Sequence, residues 1–126
     1  MSSYTSVVPC FAVADVGATM RWYQEHLGFW SDPFPESEPY FFCILSLDHI
    51  EIMLQRIEGY EKPDLYARRG GGVWDAYIRM ESVKDFYESI KDDVDILRPL
   101  RQQPYGAREF EIRDPNGYVL VFSEIL

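Results

Sequence analysis

The stretch REFEIRDPNGYVLVFSE, residues 108–124, decides how the rest of the chain is read. Its first half alternates charge with bulk (Glu109, Phe110, Glu111, Ile112, Arg113), the period of a strand with one wet and one dry face. Its second half, 118–122, is apolar at every position. Between them stand Pro115, Asn116 and Gly117, a three-residue loop whose glycine suits the left-handed position of a bulged hairpin. That register puts Phe110 and Ile112 on one face with Tyr118, Leu120 and Phe122. Glu109, Glu111 and Arg113 then lie on the other face beside Val119, Val121 and Ser123. A slip of one residue would bury the charges in the core, so the pattern itself selects the register.

An earlier hairpin is built in the same way. Strands over 40–47 and 50–55, joined by Asp48 and His49, pair Leu47 with Ile50. Cys43, Leu45, Leu47, Ile50, Ile52 and Leu54 form an apolar face, and Phe42, Ile44, Ser46, Glu51, Met53 and Gln55 form a mixed one. Upstream, 7–13 reads as a strand with Pro9 near its start. Asp15 can cap a helix that runs to about Leu27 and stops at Gly28, and Met20, Tyr23 and Leu27 share one side of it. The segment GFWSDPFPESEP, residues 28–39, then reads as a short strand that breaks into a proline-rich loop.

The order repeats after a linker that contains the triplet Gly70, Gly71, Gly72. A strand over 73–80 precedes a helix that Ser82 can cap, with Val83, Phe86, Tyr87 and Ile90 as its apolar stripe. A short strand follows at 95–100, and the opening hairpin closes the chain. Each half reads strand, helix, strand, strand, strand, and the local wording matches, ADVGATMRWY against ESVKDFY. The sequence is an internal duplication.

The totals fit this reading. The 126 residues suit one domain, in which roughly two thirds of the unfolded surface can be buried. Apolar residues at 47% and aromatics at 16% supply the core and argue against disorder. A net charge of −9 argues against nucleic acid; it reads first as plain solubility, and secondarily as a surface that tolerates and mildly attracts a cationic small molecule. Cys10 and Cys43 both sit in apolar runs and read as reduced, buried thiols of a cytoplasmic protein, in preference to a disulfide or a nucleophile. The segment MSSYTSVVPCF lacks a cationic region followed by an apolar core, so it does not read as a signal peptide. No apolar run approaches the ~18 residues of a membrane span, so no membrane partner is expected.

In each half one sheet face is mixed rather than simply charged. Phe42, Ile44, Met53, Val119 and Val121 are too apolar for a solvent-washed face, and Glu51, Glu109 and Glu111 are too polar for a sealed core. A concave, partly apolar cavity accounts for both; a contact between modules or subunits is the alternative.

The segments ADVGATMRWYQEHLGFW, HIEIMLQ and YGAREFEIRDPNGYVLVFSE together resemble the vicinal oxygen chelate superfamily. That group includes glyoxalase I, extradiol dioxygenases, fosfomycin resistance enzymes and bleomycin resistance proteins, and the resemblance spans nearly the whole chain. It implies an α+β fold of two βαβββ modules curling into a mixed sheet around a cavity, in a homodimer that can share modules. On this reading residues 1–126 form one domain: module one at about 5–57, a linker at about 58–72 and module two at about 73–126. The metalloenzymes of the family place ligands on the first and last strand of each module. Those points fall here at Val8, Glu51, Asp75 and Val121. Valine has no lone pair to give, and a divalent ion wants about three protein ligands or more. His26 near a helix end and His49 in a turn do not supply the missing imidazoles. No metal and no other cofactor is expected.

The expectation is therefore a binding protein of the bleomycin resistance type, holding a cationic or amphipathic small molecule with no catalytic residue. Trp30, Phe42, Ile44, Met53 and Tyr77 would give it apolar contact, with Tyr105 at the mouth. Glu51, Asp75, Glu109 and Glu111 would favour a cation. For the aromatics the competing role is core packing; for the carboxylates it is pairing with Arg79 and Arg113. The alternative activity is a glyoxalase-like lyase or isomerase with Glu51 as general base, its pKa raised in a partly apolar cavity.

Overall fold

The computed structural model describes residues 1–126, and the chain divides into two compact units, Met1–Glu61 and Lys62–Leu126. Each unit is one βαβββ module, and the class is α+β.

In the first unit β1 (Cys10–Val13) leads to helix α1 (Val16–Trp22), which continues as a wider π-helical turn over Tyr23–Leu27. Asp15 caps this helix, its Oδ1 accepting from the Ala18 amide at 3.0 Å, and Gly28 ends it at φ 80°. Strands β2 (Trp30–Phe34), β3 (Phe42–Leu47) and β4 (Ile50–Arg56) complete a sheet of order β1-β4-β3-β2, with β1 parallel to β4. Leu47 pairs with Ile50, as the apolar alternation requires. Cys43, Leu45, Ile52 and Leu54 are fully buried, as are Val16 and Tyr23 of the helix, and Leu27 is nearly so. Each such side chain contributes about 1.5–3 kcal/mol through its removal from water.

The second unit repeats the order. Helix α2 (Leu65–Arg69) precedes β5 (Ala76–Arg79), α3 (Val83–Ile90), β6 (Asp95–Gln103), β7 (Ala107–Arg113) and β8 (Val119–Ile125). The sheet order is β5-β8-β7-β6, with β5 parallel to β8. The β7–β8 register pairs Phe110 with Phe122, Ile112 with Leu120 and Glu111 with Val121, and Gly117 takes φ 92° in the loop. The dry face stacks its rings: Phe110 lies 5.3 Å from Phe122 and 5.0 Å from Tyr87, and Phe86 lies 5.1 Å from Phe122.

Four local expectations change. Strand β1 begins at Cys10 rather than at residue 7, because Pro9 has no amide to give the ladder and only its carbonyl takes part, accepting from Met53 N at 2.9 Å. Ser82 does not cap α3. At φ 56° it makes no side-chain cap bond, and the Glu124 carboxylate accepts the Ser82 and Val83 amides at 3.1 and 3.2 Å. The glycine-bearing linker contains the short helix α2, capped by Asp64 and ended by Gly70 at φ 76°. Finally, Cys10 is exposed while Cys43 is buried against the Met20 sulfur. Strand alternation puts Cys10 beside Met53 on the mixed face, which the apolar run around it concealed. No helix is long and apolar enough to cross a membrane.

Candidate functional site

Strand β7 carries Glu109 and Glu111 two residues apart, so both point from the mixed face of the second unit's sheet. They are buried, 1% and 3% exposed. Around them stand side chains from β5, from the segment before it, from the β6–β7 turn and from β8.

Glu109 is held by neutral donors. Tyr77 on β5 donates to its Oε2 at 2.7 Å, and the same phenol lies 2.9 Å from the Ser123 hydroxyl. Tyr105, in the turn before β7, donates to Oε1. Burial alone would raise the Glu109 carboxyl, but hydrogen bonds from Tyr105, Tyr77, Ser123 and Gln103 outweigh it and hold the group below its ordinary value. Burial of its hydroxyl, followed by the bond to Glu109, pushes the Tyr105 phenol up, so it stays protonated and remains a donor. None of the chain's ion pairs includes Glu109.

Glu111 is held differently. Its Oε2 accepts from the Trp74 indole N–H at 3.3 Å and lies 3.9 Å from Arg98 Nε. Its Oε1 is buried with no hydrogen-bond partner. Arg98 is itself engaged by the Tyr66 hydroxyl of α2 at 3.4 Å. The rings of Trp74 and Tyr77 lie 5.3 Å apart, tilted by 44°, and both are partly open to solvent. The site is thus two buried carboxylates under aromatic edges, with one cation in reach.

The lowered Glu109 value sets an acid dependence. Its contribution to stability is complete above the ordinary carboxylate range, about 4.3, and is lost as pH falls through the lower folded-state value. Denaturation midpoints measured from pH 6 down to about pH 2.5 are expected to fall less steeply in Glu109→Gln than in the parent.

The other expected residues take separate places. Asp75 is committed to structure: its Oδ2 accepts the Val119 amide at 2.8 Å and meets Lys62 Nζ at 3.2 Å. In the first unit Ile44 pairs with Met53, Phe42 with Gln55, and Ser46 with both Glu51 and Trp30, so these side chains share one face. Glu51 there is exposed, outside the apolar surroundings that the general-base reading needs. Arg79 lies over the Tyr77 ring at 5.9 Å, and Arg113 pairs with Asp64 and Asp95, so neither neutralises the β7 carboxylates. Trp74 and Arg98 were not expected. The position of Trp74 between the glycine triplet and a strand was the available signal; Arg98 had none, because two register irregularities in β6 set its place. A pocket of about 430 Å³ near the start of α1, lined among others by Asp15, Glu38, Tyr40 and Arg56, contains none of the ten expected residues.

The metal positions fail on their donors. Val8 and Val121 offer none, Asp75 is occupied as described, and nowhere do three His, Cys, Asp or Glu side chains gather in a metal-binding group. The residues do not fit a divalent ion.

The two βαβββ modules are consistent with the fold of one superfamily. The sequence model of the Glyoxalase/Bleomycin resistance protein/Dioxygenase superfamily matches residues 6–122, and the chain belongs to that superfamily. Among solved structures it is similar to TioX from Micromonospora sp. ML1, at 20% identity and a TM-score of 0.76 over 98% of this chain and 100% of that one. It is also similar to a glyoxalase-related enzyme from Clostridium phytofermentans, at 18% identity and 0.76 over 99% and 98%. A third is the bleomycin-binding protein of bleomycin-producing Streptomyces verticillus, complexed with copper(II)-bleomycin, at 23% identity and 0.70 over 97% of each chain. At these identities the likeness is one of fold. No curated protein matches by sequence.

Proposed function

We propose that the chain is a metal-independent binding protein of the bleomycin resistance type, which sequesters a cationic or amphipathic small molecule and leaves it chemically unchanged. The observation that carries this reading is the pair of buried carboxylates, Glu109 and Glu111, with only Arg98 nearby at 3.9 Å. Burying a carboxylate costs several kcal/mol unless charge and hydrogen bonds return it. A ligand cation would supply the missing charge, and the open faces of Trp74, Tyr77 and Tyr105 would cover its apolar body.

The mixed face of the first unit, with Trp30, Phe42, Ile44 and Met53 and with Glu51 at its polar margin, is by itself a second surface suited to apolar ligand contact. Asp75 acts indirectly, by fixing the backbone from which Trp74 and Tyr77 project. The reading includes a cytoplasmic homodimer. Phe34, 64% exposed on the edge strand β2, supports the pairing of two copies.

Thermal unfolding with and without bleomycin and a panel of cationic amphipathic compounds tests the proposal. A ligand at 100 times its dissociation constant adds about 2.7 kcal/mol, a shift of several degrees for a domain of this size. A panel that leaves the melting temperature unchanged overturns the reading.

A further inference from the structure

One atom in the site lacks what every comparable atom has. Glu111 Oε1 is buried without a partner, while Oε2 of the same carboxylate takes both the Trp74 indole and the approach of Arg98. Glu109, two residues away, has both oxygens satisfied by phenols. A buried carboxylate oxygen left without a donor costs more than almost any other polar defect, and native chains retain such atoms where something else completes them.

We infer that Glu111 Oε1 is the anchor for a planar, delocalised nitrogen cation of the ligand, an amidinium or guanidinium carried on an apolar or aromatic body. This rests on the receptor reading above and names its ligand chemistry.

Three features select that class. The free position calls for an N–H donor, because an ionised carboxylate only accepts. Beside the carboxylate, Trp74 is 47% exposed and Tyr77 is 37% exposed, and their rings, 5.3 Å apart, suit a flat cation. An amidinium or guanidinium is also more weakly hydrated than an ammonium, so it gives up less on leaving water for a buried oxygen. Arg98 does not fill the role. Its Nε lies 3.9 Å from Oε2 and donates to the Tyr66 hydroxyl at 3.4 Å, while Oε1 has no hydrogen-bond partner. Ligand and Arg98 can therefore share Glu111, one on each oxygen.

The test uses benzamidine and its uncharged isostere benzamide. In titrations of the parent protein, benzamidine is expected to bind about tenfold or more tightly than benzamide, and to move the indole N–H resonance of Trp74, which shares the carboxylate. Glu111→Gln is expected to weaken benzamidine binding by about tenfold or more and so remove the preference, whereas Glu109→Gln retains the order of the two probes. Equal binding of both probes to the parent, or a preference that persists in Glu111→Gln, overturns the assignment. The comparison on the parent stands even where a variant folds poorly. If bleomycin raises the melting temperature while benzamidine and benzamide bind alike, the receptor reading survives and the anchor falls. If neither bleomycin nor benzamidine binds, both are overturned.

Discussion

Phe110→Ala is expected to lower stability by about 3–5 kcal/mol, the cost of deleting a fully enclosed aromatic side chain. Phe110 is 1% exposed and touches the rings of Phe86, Tyr87 and Phe122, so no neighbour can collapse into the space without losing its own contacts. Trp30→Ala removes a larger ring but is expected to stay within about 0.5 kcal/mol, since Trp30 is 77% exposed on the opposite kind of face. Urea unfolding of the two variants measures both. Similar losses would mean that the dry and mixed faces have been assigned wrongly.

The second large effect concerns binding. Glu109→Gln combined with Glu111→Gln is expected to weaken a cationic ligand by about 100-fold or more, since removing one partner of a buried charge pair costs about 2–5 kcal/mol. The fold should survive: at position 109 the glutamine carbonyl accepts from Tyr105 while its amide donates to the Tyr77 oxygen, whose hydrogen turns to Ser123. At position 111 the carbonyl still accepts from Trp74. Calorimetric titration of the double variant, with its melting curve alongside, separates the two consequences. A variant that melts early yet binds as before would make the carboxylates part of the scaffold only.

Much of the fold was legible because two signals agreed. In 108–124 the alternation of charge with bulk and the Pro-Asn-Gly loop pointed to one register, and the observed pairing of Glu111 with Val121 follows from it. The Leu47–Ile50 turn was readable for the same reason. Signals failed where a distant residue overrode a local one. Ser82 carries the chemistry of a cap, but Glu124, from the end of the neighbouring strand β8, reaches the α3 amides instead. Cys10 sits in an apolar run, yet its facing was decided by β1 pairing in parallel with β4. At the site, the carboxylates of β7 could be singled out from their alternation. Their partners could not, because Arg98 owes its position to irregular β6 pairing and Asp75 was claimed by Lys62 and the Val119 amide. Sequence spacing contains no record of such long-range arrangements.

The most direct measurement is calorimetric titration of the purified protein with a cationic amphipathic ligand such as bleomycin, followed by mass spectrometry of the recovered compound. The account predicts saturable binding that weakens strongly in the Glu109→Gln, Glu111→Gln double variant, and a ligand released with its mass unaltered. Absence of saturable binding, or recovery of a chemically changed product, would contradict it.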